Sequence, residues 1–153
     1  MNKYDFLEKY IRSISDVEQK EFRLSKGISE EEIRILQDKV NLDIPGELKE
    51  FYEFSYGATL NEYRILRIPE IAQAMSRMKT VYGEAYKTSI IPFARLIGVG
   101  DFIAFNTKRS KQDGLLIIDC FHELPPNEWK GICFGLRNWL KEMVNNNFHP
   151  YWI

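Results

Sequence analysis

Residues 43–58, DIPGELKEFYEFSYGA, constrain the fold most strongly, because they predict a helix with a defined start, a buried face and a defined end. Pro45 suits the first helical position, where its missing N–H costs nothing. Gly57 can adopt the left-handed conformation that terminates helices. Apolar residues recur at helical spacing and predict the face that packs into the core: Leu48, Phe51 and Tyr52.

The opposite face of this helix is acidic and carries Glu47, Glu50 and Glu53. A row of carboxylates is typical of a solvated surface. Phe54 lies off the apolar stripe and toward this acidic face. An aromatic side chain among carboxylates suits contact with a partner that carries lysine or arginine. The alternative is that Phe54 covers a neighbouring helix, and the pattern leaves both interpretations open.

The remaining segments predict helices and strands that are segregated along the chain rather than alternating. The predicted helices are 3–14, one that follows the capping box Ser29–Glu32, one that opens at Pro69 and one that opens at Ile132. The predicted strands are 62–68, 89–98, 101–106 and 114–120, with the polar stretch 107–114 as a loop. Short links between the last three strands favour antiparallel pairing. The fold class expected is α+β, in which a mainly antiparallel sheet packs against helices mainly on one side.

Length, charge and cysteine count narrow the class of protein. The 153 residues suit one domain, which we expect to span residues 1–153. The net charge of -1, from 21 basic and 22 acidic residues, argues against a general nucleic-acid binder, which needs a basic surface. Cys120 and Cys133 are too few for a disulfide framework. Neither a signal-peptide pattern nor a long apolar run is visible, so we expect no membrane contact and a cytoplasmic location.

A search for catalytic or metal-binding residues returns weak signals. Cys120 and His122 would point to the same side of a strand end, which permits a nucleophilic pair. A buried cysteine beside a loop histidine is the simpler interpretation. The spacing of the two cysteines and of His122 and His149 fits no zinc motif, so we expect no metal and no cofactor. In GVGD, residues 98–101, the glycines permit a bulge or tight turn, and Asp101 is expected to bind local backbone N–H groups.

The C-terminal segment 145–153, NNNFHPYWI, is aromatic at its end. Phe148, Tyr151 and Trp152 either dock on the domain or present apolar surface to another chain. We expect docking, because an apolar segment left free in water is unusual.

Several motifs in order resemble the SUKH superfamily, which includes the yeast cell-wall-assembly regulator and many bacterial immunity proteins. The segment IPGELKEFYEFSYGA resembles the family signature, whose characteristic positions are occupied here by Ile44-Pro45, Phe51-Tyr52 and Tyr56-Gly57. The flanking segments also resemble the family: GISEEEIRILQDKVNLDIP, IPFARLIGVGDFIAFNTK, DGLLIIDC and FGLRNWLKEMV. The resemblance covers roughly residues 20–146. Tyr56 stands where the family commonly has asparagine.

The resemblance implies stoichiometric binding without catalysis. The first hypothesis is an immunity protein that occludes a cognate secreted or contact-dependent toxin, with a nuclease among the candidates, and that is a monomer or weak homodimer. Bacterial immunity members are often strongly acidic, whereas this chain is nearly neutral, so the toxin class stays open. The residues predicted to contact the partner are Glu47, Glu50, Glu53, Phe54, Asp101, Tyr151 and Trp152.

Two other hypotheses remain at this point. One is a regulatory or scaffold module like the yeast relative, which we would expect to carry long additional segments. The other is an enzyme that uses Cys120 as a nucleophile. We expect the immunity hypothesis to be the correct one of the three.

Overall fold

The structure is a computed structural model that describes residues 2–153. Helices and strands follow one another in this order: α1 (Asp5–Ser13), α2 (Asp16–Gln19), β1 (Phe22–Leu24), α3 (Glu30–Val40), α4 (Gly46–Phe54), β2 (Ala58–Leu60), β3 (Tyr63–Ile65), α5 (Ile68–Tyr82), β4 (Ile90–Leu96), β5 (Phe102–Lys111), β6 (Gly114–Cys120), β7 (Lys130–Phe134) and α6 (Leu136–Asn145). Single 3₁₀ turns occur at Gly83–Ala85 and Pro126–Glu128.

All seven strands form one antiparallel sheet, in which each strand pairs with the next along the chain from β1 to β7. An antiparallel neighbour begins where the previous strand ends, so short connections join most of these strands. The exceptions are β1–β2, where α3 and α4 intervene, and β3–β4, where α5 intervenes. The predicted α+β class and the predicted antiparallel pairing of the last three strands are confirmed.

Alternate residues of the central strands enter two separate apolar cores. Phe105 and Ile117 belong to the main core, and their neighbours Ala104 and Ile118 belong to the second core. The main core contains buried residues of α1, α4 and α6. The second core contains Met78 of α5 with two aromatic residues that follow in loops, Tyr86 and Trp129. The last turns of α5 therefore pack on the second face of the sheet.

The structure confirms the local signals that were sharpest in the sequence. Ser29 Oγ accepts from the backbone N–H of Glu32, and the Glu32 carboxylate accepts from Ser29 N–H in return, which completes the capping box. Pro45 lies at the N-cap, one position before the predicted one. Gly57 has φ +80°, in the left-handed region where glycine is favoured, but α4 ends before it, at Phe54, with the extended Ser55 as its C-cap.

Three predicted boundaries are wrong. The strand predicted over 62–68 ends at Ile65 as β3, and Ile68 already begins α5. Residues 107–111 extend β5 instead of forming a loop, with a bulge between Asn106 and Ser110 and a tight turn before Gly114. The polar side chains there misled the prediction, since this end of the hairpin is exposed. Residues 132–134 belong to β7, and the last helix begins at Leu136 instead of Ile132. The short elements α2, β1, β2 and β7 have too few residues for periodicity to reveal them.

Candidate partner-binding surface

Glu47 was predicted to lie on an exposed acidic face of α4, and the structure contradicts this placement. The side chain is half-buried, and its two carboxylate oxygens accept from the backbone N–H groups of Leu115, at 2.8 Å, and Leu136, at 2.7 Å. Leu136 is the first residue of α6, and the preceding Gly135 has no side chain that could cap the helix. A carboxylate at a helix N-terminus is favourable because it meets free N–H groups and the positive end of the dipole. Glu47 therefore fastens α4 to both β6 and α6.

Glu50 and Glu53 are exposed, as predicted for this face of α4. Glu50 Oε2 lies 3.1 Å from Lys3 Nζ in an ion pair in which both side chains are more than half exposed. Such a pair contributes little stability because water screens it. A role of Glu50 and Glu53 in binding a partner stays a prediction.

Phe54 packs against the start of α1, which corresponds to the second of the two alternatives for this residue. Its ring stacks on Tyr4 with the centroids 5.7 Å apart, and it meets Phe51 edge-on at 5.8 Å. Phe54 is only partly exposed as a result. The signature helix α4 thus uses its aromatic residues to hold the N-terminal segment in place.

Asp101 binds His122 rather than local backbone. Its Oδ1 accepts from the backbone N–H of His122 at 3.1 Å and lies 2.7 Å from His122 Nδ1. The Asp101 side chain is only 11% exposed, whereas that of His122 is 56% exposed. The pair joins the β4–β5 loop to the β6–β7 loop, so both loops are held at the same end of the sheet.

The C-terminal aromatic residues dock on the domain, as predicted. Positive φ angles at Asn147 and Phe148 turn the chain back after α6, and Phe148 is completely buried. Trp152 Nε1 donates to Asp119 Oδ2 at 2.9 Å, and Tyr151 also packs on the main core. Burial raises the pKa of Asp119, although the bond from Trp152 acts in the opposite direction.

Trp152 also lines a depression of about 460 Å³, which we call the tail pocket. Phe121 and Lys130 form other parts of its wall, and Asp119 lies among its lining residues. The tail pocket is adjacent to the loop that carries His122. Asp101 and Trp152, two of the residues predicted to bind a partner, therefore lie on either side of the β6–β7 loop. This loop follows the C-terminal end of β6, whereas Glu47 binds near the start of β6.

Cys120 is buried to 3% exposure in the second core, and burial raises the pKa of its thiol well above the usual value. A nucleophilic cysteine needs the opposite environment, one that stabilises the thiolate. The interpretation of Cys120 as a small apolar residue accounts for this position, and the absence of catalysis stays a prediction.

A surface depression with both apolar and charged walls runs along α5. One part, of about 260 Å³, is lined by residues that include Arg77, Val81, Tyr82, Val99 and His122. A second part, of about 140 Å³, is lined by residues that include Glu70, Arg77 and Arg95. Arg77 and Phe102 belong to both parts. We call the two parts together the α5 groove.

The charged side chains of the α5 groove differ in whether they have a partner of opposite charge. Glu70 binds Arg64 through two hydrogen bonds of 2.8 and 2.7 Å. Burial acts to raise the pKa of Glu70, but the bonds from Arg64 and from the Arg67 backbone N–H outweigh it, so the pKa is lowered. Arg77 and Arg95 are exposed, and within residues 2–153 neither lies within 4.0 Å of a carboxylate.

The sequence interpretation missed Arg77, Val81 and Arg95 as candidate site residues. The one available signal is the spacing of Gln73, Arg77 and Val81, which recur every four residues beside the apolar stripe of α5. Because Val81 lies on that polar row, its apolar side chain is expected to be exposed. Arg95 carries no such signal, because the sheet pairing brings it to the groove.

Within residues 2–153, no helix has the length and apolar character needed to cross a bilayer. In the same range, no three histidine, cysteine, aspartate or glutamate side chains are grouped closely enough to hold a metal ion.

Comparison with known proteins gives one finding on the family. No curated protein matches the chain significantly. The model of the SMI1/KNR4 family (SUKH-1) matches residues 27–142, a range that contains α3 to β7 and most of α6. Since this match extends over far more than half of the chain, the protein belongs to the SMI1/KNR4 family of the SUKH superfamily.

Proposed function

We propose that this chain is an immunity protein that binds a cognate bacterial toxin in the cytoplasm and blocks it by occupying its functional surface. The family match over residues 27–142 carries the proposal, because it places the whole sheet from β2 to β7 and its main helices in a superfamily that includes immunity proteins. The mechanism is steric occlusion with charge complementarity, and it requires no chemical step.

The surface of the protein suits this mode of action. Large apolar side chains remain exposed around one end of the sheet, among them Val81 at 63%, Val99 at 57% and Phe121 at 36%. Exposed apolar side chains that cluster beside arginine are typical of the central part of protein–protein interfaces.

The test is coexpression of this chain with the protein that the neighbouring gene encodes. We expect the chain to restore growth of cells that produce this neighbour and to copurify with it in a 1:1 complex. A matched control is the same chain with Trp139 replaced by alanine, because removal of a completely buried aromatic residue should prevent folding. If the folded wild-type chain neither restores growth nor copurifies with the neighbour, the proposal is wrong.

A second candidate function is a regulatory or scaffold module, which the family name SMI1/KNR4 and the resemblance to the yeast regulator favour. This module would bind a signalling or cell-wall protein that is not toxic. The same experiment separates the two functions, since a scaffold copurifies with its partner but gives no protection.

A further inference from the structure

We propose that the α5 groove is the surface that receives the partner, and that the partner places a carboxylate flanked by apolar side chains against Arg77 and Arg95. The inference rests on the proposed function only in assuming that the partner is a protein. It names the surface and the chemistry of the partner segment that enters it.

The groove carries an excess of positive charge. Glu70 and the arginines Arg64, Arg77 and Arg95 meet along the same side of α5 and β3–β4. Glu70 uses both carboxylate oxygens on Arg64, at 2.8 and 2.7 Å. Arg77 and Arg95 are left without a carboxylate within residues 2–153. A guanidinium has a planar set of donors that fits a carboxylate in a two-bond arrangement, so this is the ligand that both arginines suit best.

Two like charges are also paired across neighbouring strands. Arg64 of β3 lies directly opposite Arg95 of β4 in the antiparallel register. Side chains at opposite positions share a face of the sheet, and like charges there repel each other. Glu70 relieves this repulsion at Arg64 alone. A carboxylate from a partner would relieve it at Arg95.

The groove also has an apolar rim. Val81 and Val99 are more than half exposed and lie on opposite walls, one on α5 and one on the β4–β5 loop. The half-buried Tyr82 lies beside Val81. Apolar residues on both walls would contact apolar neighbours of the inserted carboxylate and exclude water from its bonds with arginine. Arginine surrounded by apolar contacts is a frequent composition for residues that dominate binding energy.

The other acid of the groove does not oppose this arrangement. Asp101 is only 11% exposed, because its carboxylate faces His122 and accepts from the backbone N–H of that residue. Its charge still reaches the Tyr82 end of the groove, where burial and then the nearby Cys120 and Asp101 raise the pKa of the tyrosine. In the part lined by both Arg77 and Arg95 the acid is Glu70, which is bound to Arg64.

Charge reversal with a matched control tests the surface. Arg77→Glu changes a groove residue, and Lys79→Glu changes an exposed residue of the same helix that does not line the groove. Titration calorimetry with the protein encoded by the neighbouring gene should show affinity at least about tenfold weaker for Arg77→Glu and within about twofold of wild type for Lys79→Glu. Arg95→Glu should weaken affinity in the same direction as Arg77→Glu.

The outcomes separate this inference from the proposed function. If wild-type protein binds the neighbour and Arg77→Glu binds it equally well, the groove inference is wrong and the immunity function stands. If wild-type protein binds nothing, the immunity function fails, and a second measurement decides the groove. In that measurement, the blocked peptide Gly-Leu-Glu-Leu-Gly should shift backbone amide NMR signals around Arg77, Arg95 and Val99. Its glutamine counterpart should shift them at least about threefold less at equal concentration, because the glutamine amide has no charge for the arginines. Equal shifts from both peptides, or no shifts, would overturn the inference.

Discussion

The acidic face of α4 and the α5 groove both present charged side chains, but these charges have different partners inside the protein. Glu47 binds the backbone of β6 and α6, and Glu50 pairs with Lys3. Arg77 and Arg95 lie at the surface, and no acid among residues 2–153 pairs with them. Glu47 thus holds parts of the chain together and Glu50 has only a solvent-exposed pair, whereas the groove arginines Arg77 and Arg95 remain available to another molecule.

The apolar residues of the two regions differ in the same way. Phe51 of α4 is completely buried, and Phe54 stacks on Tyr4. Val81 and Val99 of the groove remain exposed. The comparison teaches that a marked sequence signature can identify a structural element, whereas the charges and apolar side chains that the fold leaves exposed become visible only in the structure. Four variants test this contrast.

The largest effect should come from Phe51→Ala. Removal of this completely buried ring leaves a cavity in the main core, and we expect the free energy of unfolding to fall by about 3–5 kcal/mol. Val81→Ala, on the exposed wall of the groove, should change it by less than about 0.5 kcal/mol. Urea unfolding followed by circular dichroism measures both. If both variants lose the same free energy of unfolding, the distinction between a structural α4 and an exposed groove wall is wrong.

Glu47→Ala should have the next largest effect and separates Glu47 from the exposed carboxylates of the same helix. Two backbone N–H groups lose their acceptor, which should lower the free energy of unfolding by about 2 kcal/mol. Hydrogen exchange of the Leu136 amide should accelerate more than that of amides in β4. Glu53→Ala is the control and should stay within about 0.5 kcal/mol of wild type. If Glu53→Ala is as destabilising as Glu47→Ala, the assigned structural role of Glu47 is wrong.

The contrast between Glu47 and Arg95 also shows what sequence can reveal. The capping box of α3, the apolar face of α4 and the antiparallel order of the last strands follow from patterns within a few residues, and the sequence predicted them. Glu47 caps a helix that begins 89 residues later, and the Arg64–Arg95 pairing depends on the register of β3 with β4. Contacts of this range leave no periodic trace, so α4 was correctly predicted as a helix but Glu47 was wrongly placed on its exposed face.

Glu70→Gln should reveal the Glu70–Arg64 ion pair of the groove through pH dependence. The folded-state pKa of Glu70 is lowered from the ordinary value of 4.5, so its ion pair stabilises the protein above that value. This contribution is lost as the pH falls through the lower folded-state pKa. At pH 7 the variant should be less stable by up to about 1 kcal/mol, since the pair is only partly buried. Glutamine can still accept from Arg67 N–H, so the helix cap should persist.

Unfolding curves of wild type and Glu70→Gln, recorded from pH 7 down to pH 2, provide the measurement. The two curves should converge as the pH falls below about 4.5. A difference that stays constant over this range would show that the effect of the substitution does not arise from the charge of Glu70.

Arg95→Gln should have the smallest effect and the opposite sign. The substitution removes the repulsion between the cross-strand arginines while it leaves the Arg64–Glu70 pair intact, so the protein should become more stable by a few tenths of a kcal/mol. The gain should shrink when salt is raised from low ionic strength to about 1 M, where the screening length is only about 3 Å. Arg109→Gln, at the exposed end of β5, serves as a control for the loss of one positive charge.

If Arg95→Gln instead destabilises the protein at low salt, Arg95 has a structural role and the two regions differ less than their contacts indicate. A gain in stability combined with weaker partner binding would mean that Arg95 is unfavourable in the free protein and useful only in the complex.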